Sequence, residues 1–311
     1  MMNGIRLLQA CLLAALGICA CNTATTLNTA EKGTVVNHSN FPSRYVTPRN
    51  VDVYLPPGYE QEGNTSYPVL YMHDGQNLYT PGNAFGGAEW GVDETLEKLI
   101  REKKARPAIV VGIWNTDRRF AEYLPEAPFN AFPDSLKAIF QKEYGAAPLS
   151  DAYLKFLVEE LKPFIDQQYR TLTAAEDTYI AGSSMGGLIS LYAICRYPNI
   201  FGRAACLSTH WPVSLQGKYP MMPQILIDYF GEHLPKPATH KIYFDYGTAT
   251  LDSLYEPLQL TMDEKMKASG YIKGENWMTC KFPGAEHSEK SWAERLHVPF
   301  EFILKGEEMK E

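Results

Sequence analysis

Gly182-Ser183-Ser184-Met185-Gly186 is the stretch that decides how this chain folds. It reads G-x-S-x-G, and its flanks give that pattern a context. Thr178-Tyr179-Ile180-Ala181 before it is short, apolar and partly β-branched, as a strand is. Gly187-Leu188-Ile189-Ser190-Leu191-Tyr192-Ala193-Ile194 after it has helical spacing. A strand, this pattern and a helix in that order make a nucleophile elbow, a sharp turn that pushes one serine out at the end of a strand. A serine hydroxyl is a weak nucleophile at neutral pH and needs both exposure and a base. Gly182 and Gly186 leave room for strand and helix to approach closely. Ser184 is therefore the candidate nucleophile.

Outward from the elbow the chain alternates strands and helices. Residues 51–55 alternate in polarity and end at Pro56-Pro57-Gly58, an early antiparallel strand and turn. Residues 67–72, 108–114, 179–181, 204–208, 241–246 and 277–282 read as further strands. Residues 92–104, 151–169, 187–197, 256–268 and 291–304 read as helices. Near-continuous apolar strands separated by helices predict an α/β fold with a mostly parallel central sheet covered on both faces. In such sheets the chemistry gathers at the carboxyl ends of the strands. Two segments, 118–147 and 211–237, are rich in proline and begin at expected strand ends, so they are predicted to be loops that shape a pocket. With no internal repeat and no linker, residues 35–311 are expected to form a single catalytic domain.

A length of 311 residues suits that domain, and 45% hydrophobic with 21% charged residues is the profile of a globular protein. The net charge of −7 argues against nucleic acid as a partner, which calls for clustered positive charge. Arg6, the apolar run 7–20 and Ile18-Cys19-Ala20-Cys21 predict an export signal over residues 1–21 of the lipoprotein type, with a lipid anchor at Cys21. Residues 22–34 are then a polar tether. An ordinary secretory signal is the alternative, and both place the protein outside the cytoplasm, periplasmic or membrane-anchored in a bacterium. Three cysteines remain beyond the leader, Cys195, Cys206 and Cys280; an odd number without metal-like spacing predicts neither a disulfide framework nor a metal site. No cofactor is expected.

The serine needs a base, an acid and an oxyanion hole. In this arrangement the chain order is serine, acid, histidine. His287 is the candidate base, because it follows the last predicted strand on a loop that lets an imidazole reach over the strand ends. The acid should follow the strand 241–246, where it fixes the imidazole tautomer and stabilises the imidazolium. Asp245, Asp252 and Glu256 are the candidates. Asp252 is favoured because it lies in the loop beyond the strand end. The oxyanion donors are expected to be the backbone N–H of Met185 and that of Gln76, with Gly75 as the alternative to Gln76. His210 and Trp211, just past a strand end, are candidate substrate-binding residues. Trp211, Phe129, Phe132 and Tyr219 are candidates to stack on an aryl or sugar ring, with core packing as the competing role.

Three motifs together resemble a known family. Tyr71-Met72-His73-Asp74-Gly75-Gln76-Asn77-Leu78, Gly182-Ser183-Ser184-Met185-Gly186-Gly187 and Gly284-Ala285-Glu286-His287-Ser288-Glu289 with Trp292 are similar to the putative-esterase family of α/β-hydrolases. That family includes esterase D-type, feruloyl and acetyl-xylan, and enterochelin esterases, and mycolyltransferases. The resemblance runs over about residues 35–305 and implies a Ser/acid/His triad, whose serine and histidine fall on Ser184 and His287. Many members carry the acid three residues after the glycine of a Gly-Thr turn. Here Thr250 holds that position, and Asp252 stands two residues later. The resemblance implies a serine ester hydrolase, and export favours acylated polysaccharide or oligosaccharide (a feruloyl or acetyl ester) as substrate. The alternatives are a siderophore trilactone esterase, with Arg118 and Arg119 near an anionic catecholate, an acyltransferase of the same fold, or a non-catalytic surface binding lipoprotein.

Overall fold

The computed structural model describes residues 32–216 and 218–306. Residues 1–31, and with them Cys21 and the expected leader, lie outside the described residues. Eight strands form one sheet: β1 (Thr34–Phe41), β2 (Arg49–Leu55), β3 (Val69–His73), β4 (Ile109–Ile113), β5 (Thr178–Ser183), β6 (Arg203–Leu207), β7 (Lys241–Gly247) and β8 (Trp277–Phe282). Their spatial order is β1-β2-β4-β3-β5-β6-β7-β8. β2 runs antiparallel to both β1 and β4, and β3 through β8 are parallel. This is the α/β-hydrolase arrangement. The chain leaves β3 for β4 on one side and returns to β5 on the other, so the strand order switches at β3 and β5. A crevice opens at the carboxyl ends of strands flanking such a switch. His73 ends β3 and Ser184 follows β5, which sets both at that crevice.

Alternation along the strands divides the core in two. Val69, Tyr71, Val111, Ile180, Ile242 and Phe244 pack in one cluster, while Leu70, Met72, Val110, Tyr179, Ala181 and Tyr243 pack in the other. Successive side chains point to opposite faces of a strand, so the clusters are the two faces of the sheet. The second is closed by α1 (Val92–Arg101) and by two C-terminal helices. The first is closed by the helices between them. Those are the short α2 (Arg119–Tyr123) and α3 (Glu126–Asn130), α4 (Asp134–Tyr144), a long helix made of α5 (Ser150–Lys155), a π-helical stretch and α6 (Lys162–Gln168), then α7 (Met185–Arg196), α8 (Met221–His233) and α9 (Glu256–Ala268). Each fully buried aliphatic or phenylalanine side chain contributes about 1.5–3 kcal/mol, and the fully buried β5 carries no charged residue.

Three features depart from the expectations. β1 lies partly in the segment read as tether. Its residues are mostly exposed, and Val35 and Val36 are adjacent rather than alternating, so they carry no apolar alternation, and the strand is held by its pairing with β2. The segments 118–147 and 211–237 are largely helical (α2–α4 and α8) rather than loops, because Phe129, Phe132, Phe140, Leu226 and Phe230 are buried in the core. The expected C-terminal helix is two, α10 (Glu289–Arg295) and α11 (His297–Leu304), broken at Leu296. Pro299 has no N–H to offer the preceding turn and is tolerated only in the first turn of a helix. A buried bidentate pair from Arg49 to Glu122, 2.8 and 2.7 Å, ties β2 to α2.

Candidate active site

Ser184 has φ 59° and ψ −121°. A non-glycine residue held there costs on the order of 1–3 kcal/mol, so its surroundings must over-determine it. They do: its N–H donates to the Leu207 carbonyl at 2.9 Å, and its carbonyl accepts from Gly187 and His210 at 3.0 and 3.1 Å. The glycines are needed for contact. A Cβ on Gly182 would lie 2.9 Å from the Gly186 carbonyl, and one on Gly187 would lie 2.9 Å from Thr209 Oγ1.

The structure brings Ser184, His287 and Asp252 together. His287 Nε2 lies 2.9 Å from Ser184 Oγ, and Nδ1 lies 2.6 Å from Asp252 Oδ1. A carboxylate only accepts, so Nδ1 carries the proton and Nε2 is free to accept from the serine hydroxyl. The loop bearing His287 is fixed by its own N–H, which donates to Thr250 Oγ1 at 2.8 Å. Thr250 thus orients the histidine backbone. The imidazole packs edge-on against Trp292 and Tyr255, with ring centroids 4.9 and 5.6 Å away. Asp252 is buried, and its Oδ2 accepts from Ser208 Oγ and the Gly247 N–H, both at 2.6 Å. Burial alone would raise its pKa, but the contacts from His287, Ser208 and Gly247 hold it below the usual carboxylate range. The other acid candidates stand elsewhere: Asp245 bonds Arg295 at 2.9 Å, and Glu256 pairs with Lys281 at 2.7 Å.

On the other side of Ser184, the loop after β3 turns sharply. Asp74 is left-handed, at φ 59°, and starts a 3₁₀ turn over Gly75–Asn77. Only glycine fits at 75, where a Cβ would lie 2.4 Å from the Gly112 carbonyl carbon of β4. Gln76 lines the cleft beside Ser184, and its Oε1 accepts from the Asn115 N–H at 3.1 Å. Met185 opens α7, so its N–H is one of the donors a helix leaves free at its N-terminus. Asp74 itself is buried and gripped by Arg119 Nε and Nη2 at 2.7 and 2.8 Å. Burial would raise this carboxyl, but Arg119 and Asn115 hold it below its ordinary value.

His210 also lines the cleft. Its Nδ1 pairs with Tyr255 Oη at 2.7 Å, while Nε2 has no hydrogen-bond partner among the described residues. Burial pushes the imidazole down to about 3, so it is neutral. Trp211 is a correction. It is fully buried, donates Nε1–H to Gln259 at 3.0 Å and packs on Phe230 and Phe244, leaving no face for a substrate ring. Phe129 and Phe132 are buried against each other as well, and Tyr219 packs on the core. Arg119 is committed to Asp74. The aromatic residues that do line the cleft are Phe85, Phe120 and Trp292, in a cavity of about 500 Å³ that also takes in Asn115, Thr116 and Asp117. Phe120 lies in the segment expected to shape the pocket. Phe85 sits among glycines with no periodic signal, and its N–H is pinned by Asn77 Oδ1 at 2.9 Å. Among the described residues, no group of three or more His, Cys, Asp or Glu could hold a metal ion.

The uncharacterized protein YbbA of Bacillus subtilis (strain 168) is 25% identical over 164 residues, which is 52% of this chain and 58% of that protein. An endo-1,4-beta-xylanase/feruloyl esterase of Xylanibacter ruminicola is 27% identical over 184 residues, 54% of this chain and 21% of that protein. The chain thus spans less than two thirds of the length of either. A solved ferulic acid esterase shares the fold with a TM-score of 0.64 at 18% identity, covering 88% of this chain and 98% of that one. The family profile described as "Putative esterase" matches residues 43–302, and the chain belongs to that family.

Proposed function

We propose that this protein is an exported serine ester hydrolase acting on acylated carbohydrate, a feruloyl or acetyl ester. The observation that carries the reading is the hydrogen-bonded chain Ser184 Oγ, His287 Nε2, His287 Nδ1, Asp252 Oδ1 on a strained elbow. Ser184 Oγ attacks the ester carbonyl as His287 Nε2 takes its proton. The tetrahedral oxyanion is held by the N–H groups of Met185 and Gln76. As the intermediate collapses, His287 returns the proton to the leaving alcohol. Water, deprotonated by the same imidazole, then releases the acid from Ser184. Asp252 stays ionised and stabilises the imidazolium.

An aromatic acyl group is supported by Phe85, Phe120 and Trp292 lining the same cleft as the polar Asn115, Thr116 and Asp117. Neutral, buried His210 offers that cleft a ring nitrogen without another partner among the described residues, suited to a phenol or sugar hydroxyl. Export rests on Arg6, the apolar run after it and Cys21, which would carry the lipid anchor; no helix among the described residues is long and apolar enough to cross a membrane. The test is turnover of p-nitrophenyl acetate, p-nitrophenyl butyrate and methyl ferulate by the leaderless protein beside Ser184→Ala. Turnover is expected in the first and abolished in the second, with ferulate preferred. Equal rates in both proteins, or none in either, would move the weight to a binding role.

A further inference from the structure

The carboxylate that faces His287 is backed by a second set of side chains drawn from the end of β6, from β7 and from α10. Ser208, just past β6, holds a left-handed backbone at φ 41°. Its hydroxyl has three neighbours: Asp252 Oδ2 at 2.6 Å, Trp292 Nε1 at 3.0 Å and Arg295 Nη2 at 2.8 Å. The indole and the guanidinium can only donate, so the hydroxyl accepts from both. A hydroxyl has one proton to give, and the remaining neighbour is a carboxylate. The direction of the Ser208 O–H is therefore fixed towards Asp252. Arg295 Nη2 divides its two hydrogens between Ser208 Oγ and Asp245 Oδ1, the latter at 2.9 Å, and stands 3.9 Å from Asp252 Oδ2. Asp245 is held in turn by the Ser208 N–H at 3.1 Å and by Tyr243 Oη at 3.1 Å.

Ser208, Asp245, Asp252 and Arg295 are all buried. Two carboxylates thus share one guanidinium, and an imidazolium formed at His287 is the charge that balances the group. Arg295 and Trp292 lie on the helix that follows the His287 loop, so the contacts also tie that loop to the acid.

We propose that Ser208, held by Arg295 and Asp245, is the positioning residue that locks the Asp252 carboxylate in line with His287 Nδ1. The inference rests on the triad reading given above. Without the Ser208 hydroxyl, Asp252 keeps the Gly247 N–H and His287 but loses the donor that sets its rotation about Cβ–Cγ.

Ser208→Gly is the first variant, because glycine adopts a positive φ freely while losing the whole side chain, and Ser208→Ala is the second, because it removes the hydroxyl alone. Wild type, Ser208→Gly, Ser208→Ala and Ser184→Ala are compared in kcat, KM, Tm and the low-field proton resonance of the His287 Nδ1–H. Loss of the hydrogen bond that aims the carboxylate at the imidazolium, a bond to a charged group, predicts a kcat loss of about 10- to 100-fold with KM within about twofold. The low-field resonance should move upfield in Ser208→Gly, while Tm stays near wild type. Ser208→Ala, judged on the same terms, decides the matter should the glycine variant not fold. Wild-type kcat and an unmoved resonance in a folded Ser208 variant, with Ser184→Ala inactive, would overturn this inference alone. Full turnover in Ser184→Ala would overturn the triad reading and this inference with it.

Discussion

A single backbone conformation sets Ser184 apart. At φ 59° and ψ −121° the hydroxyl stands clear of both strand and helix, and the glycines at 182 and 187 are there because neighbouring atoms come within 2.9 Å of where a Cβ would be. The same scale explains why Asp252, and neither Asp245 nor Glu256, faces the histidine. Asp245 sits within β7, where its side chain points into the buried Arg295 layer. Asp252 sits in the turn after β7, where Gly247 and Ser208 aim it at Nδ1. Asp252→Asn preserves the shape of the side chain but no longer demands a proton on Nδ1. It is expected to fold normally and to lose about 10⁴-fold in kcat, the scale found when a triad acid is made neutral. Steady-state kinetics beside a circular dichroism spectrum checks this; wild-type kcat would remove Asp252 from the triad.

Two elements meet at the oxyanion side, and neither is self-sufficient. The loop after β3 carries Gln76 in a 3₁₀ turn, and α2, from the inserted segment, supplies the Arg119 that neutralises Asp74. Arg119→Met leaves a buried carboxylate unpaired, which costs about 3–5 kcal/mol, and frees the loop that carries Gln76, the proposed oxyanion donor. The expected result is a lowered urea midpoint together with a lowered kcat, and the double variant Asp74→Asn/Arg119→Met should regain stability. A single variant as stable as wild type would mean that the ion pair holds nothing. Strands and helices with strong periodicity were legible in the sequence, β2 through β8 and α7 and α9 above all. β1 was not, because an exposed edge strand whose valines are adjacent has no alternation to read. The helices of 118–147 and 211–237 were hidden by their prolines, of which Pro128 and Pro223 lie inside helices. At the site, the elbow, His287 and the region of the acid could be read from motif and chain order. Trp211 was misjudged because position after a strand does not tell whether a ring turns to the cleft or to the core. Ser208 and Arg295 carried no signal, since their contacts join residues 44 and 87 positions apart.

For the whole molecule, burying titratable groups at the crevice has a cost that pH reveals. Burial pushes His73 and His210 down to about 3, whereas an unfolded chain protonates them near 6.5. Between those values the unfolded chain binds more protons, so stability falls as pH falls, by about 1.4 kcal/mol per pH unit for each histidine. Asp93 has the opposite sign. Burial and its neighbour Glu94 push it up to about 7, so its contribution is present below about 3.9 and lost as pH rises to about 7. The two histidines therefore lower the urea midpoint as pH falls from 6.5 to 5, and the effect of each group is read from its own variant. His73→Gln should flatten that fall and Asp93→Asn should steepen it; a slope unchanged by His73→Gln would contradict the assignment. All of this supports a scaffold built to hold one activated serine. The most direct test of that claim is labelling with a fluorophosphonate, which reacts only with an activated serine, followed by peptide mass spectrometry. One adduct per chain on the peptide bearing Ser184, slowed severely in His287→Gln and absent in Ser184→Ala, is the predicted result. A folded protein that takes no label, or takes it on another serine, would contradict the account.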